Sequence, residues 1–464
     1  MKRIFLAAFT LIAAALFPIS ASAQNVTLDF PSWQAEDPGF AEWWKALIQE
    51  YEAKHPGVKI KLYSIPFVNY VNQLTVRFAG RNPPDIVHLP TRNFASFASQ
   101  QWLEPIDDLI KTTDIPAKWS PLQSEMVWDG KTYGLLLLPY GNLLYYNEKI
   151  LQDAGVKVPT TPSEWLDAMA KTTNRDKGVF GLVTTTAEHP NMFIDAATWV
   201  LGEKQDWLKG NKYNFTDPGV VAAMEQFRKS LSYAPPGTNS TVARQLFIDG
   251  KAAFLRDGPW VWATLQKAKP ETRPSLKMTQ LPFPVITGGA SNSLHMPAKI
   301  DPQKRKLVWE FIILAASPQW QEKYVQLTGS PAARLGMISA EQAKRDPHLA
   351  AITQAAEKAE NLFPTQRGLR ENYNEFATLF SRAVVRMQSS SQPTEAILAN
   401  LQKELNAAVP LPVKAPKAKA AGESVRPGQV AAWLMVKAPM KKPLPSNTVK
   451  EPLRGDVVLL ASKL

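Results

Sequence analysis

The sequence predicts an α/β fold, on three observations. Strand-like runs are followed by helical periods, the pairing repeats along the chain, and helices accumulate toward the end. The first unit is the clearest. VTLDF (26–30) alternates apolar and polar residues, as a strand does. Asp37-Pro38 then reads as a helix start, with Asp as cap and Pro at the tolerated first position. Phe40, Trp43, Trp44, Leu47, Ile48 and Tyr51 follow at helical spacing until His55-Pro56-Gly57 stops them. VKIKLY (58–63) alternates again, completing a strand–helix–strand unit, the seed of a parallel sheet.

The pattern continues. PDIVHL (84–89) reads as a short buried strand, and NFASFASQQWLEPIDDLI (93–110) as helix around a Gln-Gln-Trp break. GKTYGLLLLPYGNLLYYNEKIL (130–151) holds two apolar runs separated by Pro139-Tyr140-Gly141-Asn142. The Ser or Thr of PTTPSEW (159–165) caps the next helix, VFGLVTT (179–185) is a strand, and 218–232 is helical. KAAFLRDGPWVW (251–262) reads as strand, turn and helix start. LPFPVITGGASNSLHMPA (281–298) leads into a helix at 302–316, and 339–360, 371–388 and 393–408 are helical by period.

Residues 1–23 stand outside the fold. Lys2 and Arg3 precede the apolar run 4–19, and Ala21-Ser22-Ala23 has the small-x-small form that a signal peptidase cuts. Export with cleavage before Gln24 is expected, and the run is short for a membrane span. The chain has no cysteine, hence no disulfide and no lipid-bearing cysteine at the cleavage site. A freely diffusing periplasmic protein fits both facts. The closing Ser462-Lys463-Leu464 matches a peroxisomal address, but the N-terminal signal outranks it.

The formal net charge of +12 is unevenly spread. Residues 410–464 hold ten Lys/Arg against three Asp/Glu, the signal carries two basic residues, and the body from 24 to 409 keeps only +3. A nucleic-acid face needs a basic stripe within the folded body, so that class is excluded. From Pro410 onward the composition is rich in Pro, Lys and Ala, which is linker texture. The segment 410–464 is expected to be disordered or to carry a short docking peptide in 430–464.

Enzymatic signals are poor. H-E-x-x-H, G-x-S-x-G, a phosphate loop and G-x-G-x-x-G are all missing. His55, His88, His189, His295 and His348 are scattered without metal spacing. Asp107-Asp108 and Glu371/Glu375 are acidic pairs that suit solvated helix faces better than glycosidic chemistry. A secreted carbohydrate hydrolase stays open, because its two carboxylates need not be close in sequence.

Five motifs in the same order resemble the extracellular solute-binding proteins of ABC importers, in the maltose/maltodextrin-binding group. They are Asn82-Pro-Pro-Asp85-Ile86, GKTYGLLLLPYGNLLYYNEKIL, KAAFLRDGPWVW, Gly288-Gly289 before a strand, and EFIILAASPQWQEKYVQLTGSPAARL (310–335). The resemblance covers roughly 24–409. It implies a type II two-lobe periplasmic binding protein fold with a hinge. Lobe 1 is expected at 25–138 plus 286–333, and lobe 2 at 139–285 plus 334–409. Crossings are expected near Pro139-Tyr140, Pro284-Val285 and Ala332-Ala333. It also implies a monomer without catalytic residues, cofactor or metal, which delivers a sugar to permease subunits and meets the membrane only through them. Glycerol-phosphate, a polyamine or iron are the alternative ligands of the same fold.

Ligands of open α/β sheets sit at the carboxyl ends of strands. On that rule Trp260, just after the FLRD strand and its Gly258-Pro259 turn, is the leading ligand contact, with Trp262 second; a core role is the alternative for both. Trp33 follows the first strand, and Arg92 and Asn93 follow PDIVHL. Tyr140 and Asn142 lie at the expected hinge. Glu188 and His189 follow VTTT; Gly289 and Asn292 precede a returning strand; Arg334 follows Gly329-Ser330-Pro331 with a surface ion pair as alternative; Tyr373 completes the candidates.

Overall fold

The computed structural model describes residues 25–412. The export signal read at 1–23 and the tail beyond Pro412 lie outside the described residues. Twelve strands are formed among the described residues: β1 (Val26–Ser32), β2 (Val58–Ser64), β3 (Val87–Pro90), β4 (Val127–Trp128), β5 (Lys131–Thr132), β6 (Gly134–Gly141), β7 (Leu143–Asn147), β8 (Phe180–Val183), β9 (Ala252–Asp257), β10 (Leu276–Gln280), β11 (Thr287–His295) and β12 (Glu360–Asn361). β1 and β2 pair in parallel around helix Phe40–Lys54, as the opening pattern predicts. That helix starts later than expected. Asp37 does not cap it; Gly39 does, at a φ of 78°, with its N–H donating to Glu42 at 2.6 Å.

Two sheets follow. β11 is paired antiparallel by β3 and by β6, and in parallel by β12 at its start. The other sheet runs β10-β7-β9-β8. Pro139-Tyr140-Gly141 is not a break between two apolar runs but the end of β6, and only Asn142 separates it from β7. Gly288 and Gly289 likewise lie within β11 rather than before it.

The second sheet is covered on both faces, and side-chain alternation shows why. Leu144, Leu182 and Phe254 enter one core with helices Pro162–Thr172, Met192–Gly202, Pro218–Leu231, Tyr373–Ser389 and Thr394–Ala408. Their neighbours Leu143, Tyr145, Val183 and Leu255 enter another with helices Ser240–Ile248 and Pro347–Lys358. Strands buried on both faces read as apolar runs, as LLYY and AAFL do.

The expected helix at 339–360 is two, Ala340–Arg345 and Pro347–Lys358, because Pro347 cannot continue the first. Residues 333–335 still hold the 118–120 segment: Ala333 O accepts from Ser120 N at 2.8 Å and Lys118 O from Leu335 N at 2.9 Å. The chain therefore leaves this side of the molecule beyond Leu335, not at Ala332-Ala333. Residues 410–412, read as the start of a linker, are docked. Leu411 packs on the core and Pro412 O accepts from Asn211 at 2.8 Å. Among the described residues no helix is long and apolar enough to cross a membrane.

Candidate ligand cleft

A cleft of about 430 Å³ opens at the carboxyl ends of strands from both sheets. Trp33 and Gln34 continue β1, Ser64 ends β2, Arg92 follows β3, Thr184 and Thr185 follow β8, and Arg256 and Asp257 end β9. Strand ends expose backbone and turn residues that no neighbour covers, so they are where a packed sheet leaves room for a ligand.

The motif FLRDGPWVW builds one wall. FLRD is the end of β9; Gly258 turns the chain, and Trp260 precedes the short helix Val261–Leu265. The indole of Trp260 is half-buried, touches apolar residues of both sheets' cores and meets Tyr140 with ring centroids 5.0 Å apart. Burial pushes the Tyr140 phenol up to about 12, although Arg92 and Arg256 pull the other way. Trp33 supplies a second aromatic surface, edge-on to Phe67 at 5.6 Å.

Two of the cleft's arginines, Arg244 and Arg256, are paired with carboxylates. Arg256 donates to Asn142 Oδ1 at 3.0 Å and pairs with Asp195. Arg244 grips Asp257 through two bonds of 2.7 and 3.2 Å. Burial opposes the Arg244 charge, but the Asp257 carboxylate outweighs it and holds the guanidinium pKa above its usual value. Burial lowers that of Arg256. Asp37 opens onto the cleft's water yet is walled by protein on most sides, and this raises its carboxyl pKa against the pull of Arg244. Arg92 donates to Asn191 Oδ1 at 3.1 Å and lies between the rings of Phe67 and Phe363, at 5.4 and 5.9 Å.

Of the residues expected at the ligand, Trp33, Arg92, Tyr140 and Trp260 line the cleft. The others do not. Asn93 is buried and donates to Asn374 at 2.6 Å. Asn142 is buried and acts on the cleft only by holding Arg256. Glu188 pairs with Arg382 at 3.3 Å on the exposed surface, and His189 caps the turn before Asn191. Trp262 faces away, stacked on His348 at 4.0 Å beside Gly329. Gly289 has a φ of +141° and would meet Asn361 if it carried a side chain, so it serves the strand. Asn292 points inward to His88. Arg334 is buried, bidentate to Asp114 at 2.8 and 2.9 Å, and bonded to Ala316 O. Tyr373 is in the core with its hydroxyl unpartnered.

Other residues came into the cleft without being anticipated. Arg256 and Asp257 carried a readable signal, two charges closing an apolar buried strand. Asn239-Ser240-Thr241 opens helix Ser240–Ile248, where Asn239 caps Val242 N at 3.0 Å. Thr184 and Thr185, rather than Glu188, occupy the exit of β8. Among the described residues no group of three or more His, Cys, Asp or Glu could hold a metal ion.

Sheets flanked by helices with a cleft at their strand ends define the class: a type II two-lobe binding-protein fold. Solved structures share it. One is a solute-binding protein from Thermotoga lettingae bound with α-D-tagatose (TM-score 0.74, 20% identity, 83% of this chain and 99% of that one). Another is the GacH receptor of Streptomyces glaucescens, solved unliganded and with acarbose (TM-score 0.72, 19% identity, 82% and 98%). In sequence, the diacetylchitobiose binding protein DasA of Streptomyces coelicolor is 27% identical over 320 residues, 64% of this chain and 71% of its own. The model of the bacterial extracellular solute-binding protein family matches residues 37–322, and the chain belongs to that family.

Proposed function

We propose that the protein captures a carbohydrate in this cleft, in the periplasm, and delivers it to the permease of an ABC importer. The observation that carries the reading is the cleft's composition. Trp33, Tyr140 and Trp260 offer aromatic surface, while Arg244 and Arg256 are already paired with Asp257 and Asp195. A sugar presents apolar C–H faces to rings and hydroxyls to pre-paired ionic groups and threonines. An anion needs donors that are not already satisfied by carboxylates; of Arg92, Arg244 and Arg256 only Arg92 is bonded to a neutral partner instead, and it is held between two phenylalanine rings. The diacetylchitobiose relative and the tagatose- and acarbose-bound neighbours support the same ligand class.

The lobes are 25–138 with 286–335, and 139–285 with 336–409. Ligand touching both stabilises the closed form, which the permease recognises. The protein acts as a monomer, without catalysis or cofactor.

The test is a thermal-shift titration of residues 24–464 with mono- and oligosaccharides, glycerol 3-phosphate and putrescine. A ligand at a hundred times its Kd adds about 2.7 kcal/mol of stability. A sugar that raises the melting temperature and is recovered intact supports the reading. A sugar that is consumed turns it into a hydrolase. Stabilisation by phosphate or amine ligands alone overturns the substrate class.

A further inference from the structure

Beneath Trp33 the protein buries an imidazole. His88, on β3, has no exposed surface, and its ring stacks on the indole of Trp33 with centroids 4.0 Å apart and planes 6° from parallel. Both ring nitrogens have partners. Nδ1 is 2.9 Å from Ser32 Oγ, and Nε2 is 3.1 Å from Asn292 Oδ1. Ser32 Oγ accepts the Gln34 backbone N–H at 3.0 Å, so the hydroxyl proton is free to point at Nδ1. Nδ1 is then the acceptor, and Nε2 carries the proton that it donates to Asn292. The partners thus select a single neutral tautomer. Burial enforces neutrality by depressing the imidazole pKa to about 3, against the Asn292 bond and with a small contribution from His295. Phe30 and Trp44 meet the ring at 6.4 and 5.6 Å, and the single hydroxyl proton of Tyr70 is shared between the His88 and Pro31 carbonyl oxygens, 2.8 and 2.9 Å from its oxygen.

A Ser-His-Asn relay has the residue types of a nucleophile site. Here it is none, because Ser32 is fully buried and its oxygen is occupied by Gln34 N. What the relay does hold is one plane. Its imidazole has no freedom to rotate, since Ser32 on β1 and Asn292 on β11 fix it from two strands, and the indole lies parallel to it.

We propose that His88 is a positioning residue for ligand binding: clamped by Ser32 and Asn292, it fixes the plane in which Trp33 meets the ligand. His88 does not itself line the cleft. The inference rests on the carbohydrate reading only for the ligand's identity.

A double-mutant cycle tests it, with affinity for the best-binding sugar of the panel measured by calorimetry. The set is wild type, His88→Gln, Trp33→Ala and the double variant. His88→Gln weakens binding roughly three- to tenfold, the worth of a well-placed aromatic pair. In the Trp33→Ala background the same change costs nothing further. Equal losses in both backgrounds overturn the proposal, as does unchanged affinity in His88→Gln. Asn292→Leu serves if His88→Gln fails to fold: it keeps the ring and removes its clamp, and the loss again depends on Trp33. If no sugar binds the wild-type protein, the carbohydrate reading fails by itself. The positioning role is then decided without ligand, in protein labelled with 5-fluorotryptophan and with Trp33→Phe assigning the signal. A Trp33 fluorine line that shifts in His88→Gln sustains it; an unmoved line sinks it.

Discussion

The ring of Trp260 lies directly over Gly258: a Cβ built on the glycine falls 2.3 Å from the far edge of the indole. The glycine is therefore the seat on which the indole reaches the cleft. The atoms in conflict belong to the outer end of a side chain, so a methyl group at 258 displaces the ring rather than the backbone. Gly258→Ala is expected to weaken sugar binding about tenfold, the same direction as Trp260→Ala, with under about 1 kcal/mol lost in stability because the displaced ring has open cleft to move into. Calorimetric titration beside a melting curve separates the two effects. A Gly258→Ala protein that binds like wild type would show that Trp260 is core rather than ligand wall.

Adjacent residues explain why the fold was more legible than the site. Period-two and period-3.6 patterns located β1, β2 and helix Phe40–Lys54, and an apolar run located β9, because burial imposes such patterns over many residues. A site contact depends on one residue's facing, and an error of one position inverts it. Ser291 lines the cleft whereas Asn292, next to it on β11, turns into the core. Arg92 lines it whereas Asn93 does not, and Trp260 lines it whereas Trp262 stacks on His348. Long-range pairing was hidden altogether: nothing local to Arg334 announces Asp114, or to Arg244 announces Asp257.

Arg334 separates structural from ligand roles. Its guanidinium donates twice to Asp114 and once to Ala316 O, and lies over Trp119 at 5.6 Å. Arg334→Ala removes all of these from a buried position, for an expected loss of about 2–3 kcal/mol. Sugar affinity remains within twofold of wild type when measured well below the lowered melting temperature. An affinity loss without destabilisation would return Arg334 to the ligand.

Three buried histidines set an acid limit on stability. Burial lowers the imidazole pKa of His88 to about 3 and of His295 and His348 to about 4. An unfolded histidine titrates near 6.5. Between these values the unfolded chain binds the protons and the folded one does not, so stability rises with pH. The contribution is complete above about pH 6.5 and is lost as pH falls toward 4, and toward 3 for His88. Each histidine gives a slope of about 1.4 kcal/mol per pH unit within its window. Melting temperatures from pH 7.5 to 5 should fall accordingly, and His348→Gln should remove one proton from the linkage slope. A flat profile over that range would contradict the neutral imidazoles.

The pairing of Arg256 with Asp195 makes the cleft's ligand class switchable. The two side chains are 13% and 6% exposed, and Asn142 supplies the other bond to Arg256. With Asp195 ionised, the guanidinium is neutralised before any ligand arrives, and an anion entering the cleft meets a carboxylate beside the cation it seeks. Asp195→Asn keeps the shape and an acceptor oxygen while removing that charge. The variant should then bind sulfate or glycerol 3-phosphate at least tenfold tighter than wild type, the worth of one charge-assisted hydrogen bond. Affinity for the neutral sugar should change less, since ring contacts at Trp33, Tyr140 and Trp260 are untouched. Because surface charge attraction is screened by salt and a buried pair is screened much less, the gain should persist at 0.15 M salt. Anion binding by the wild-type protein as tight as by Asp195→Asn would mean that the guanidinium is not neutralised, and the case for a neutral ligand would fall with it.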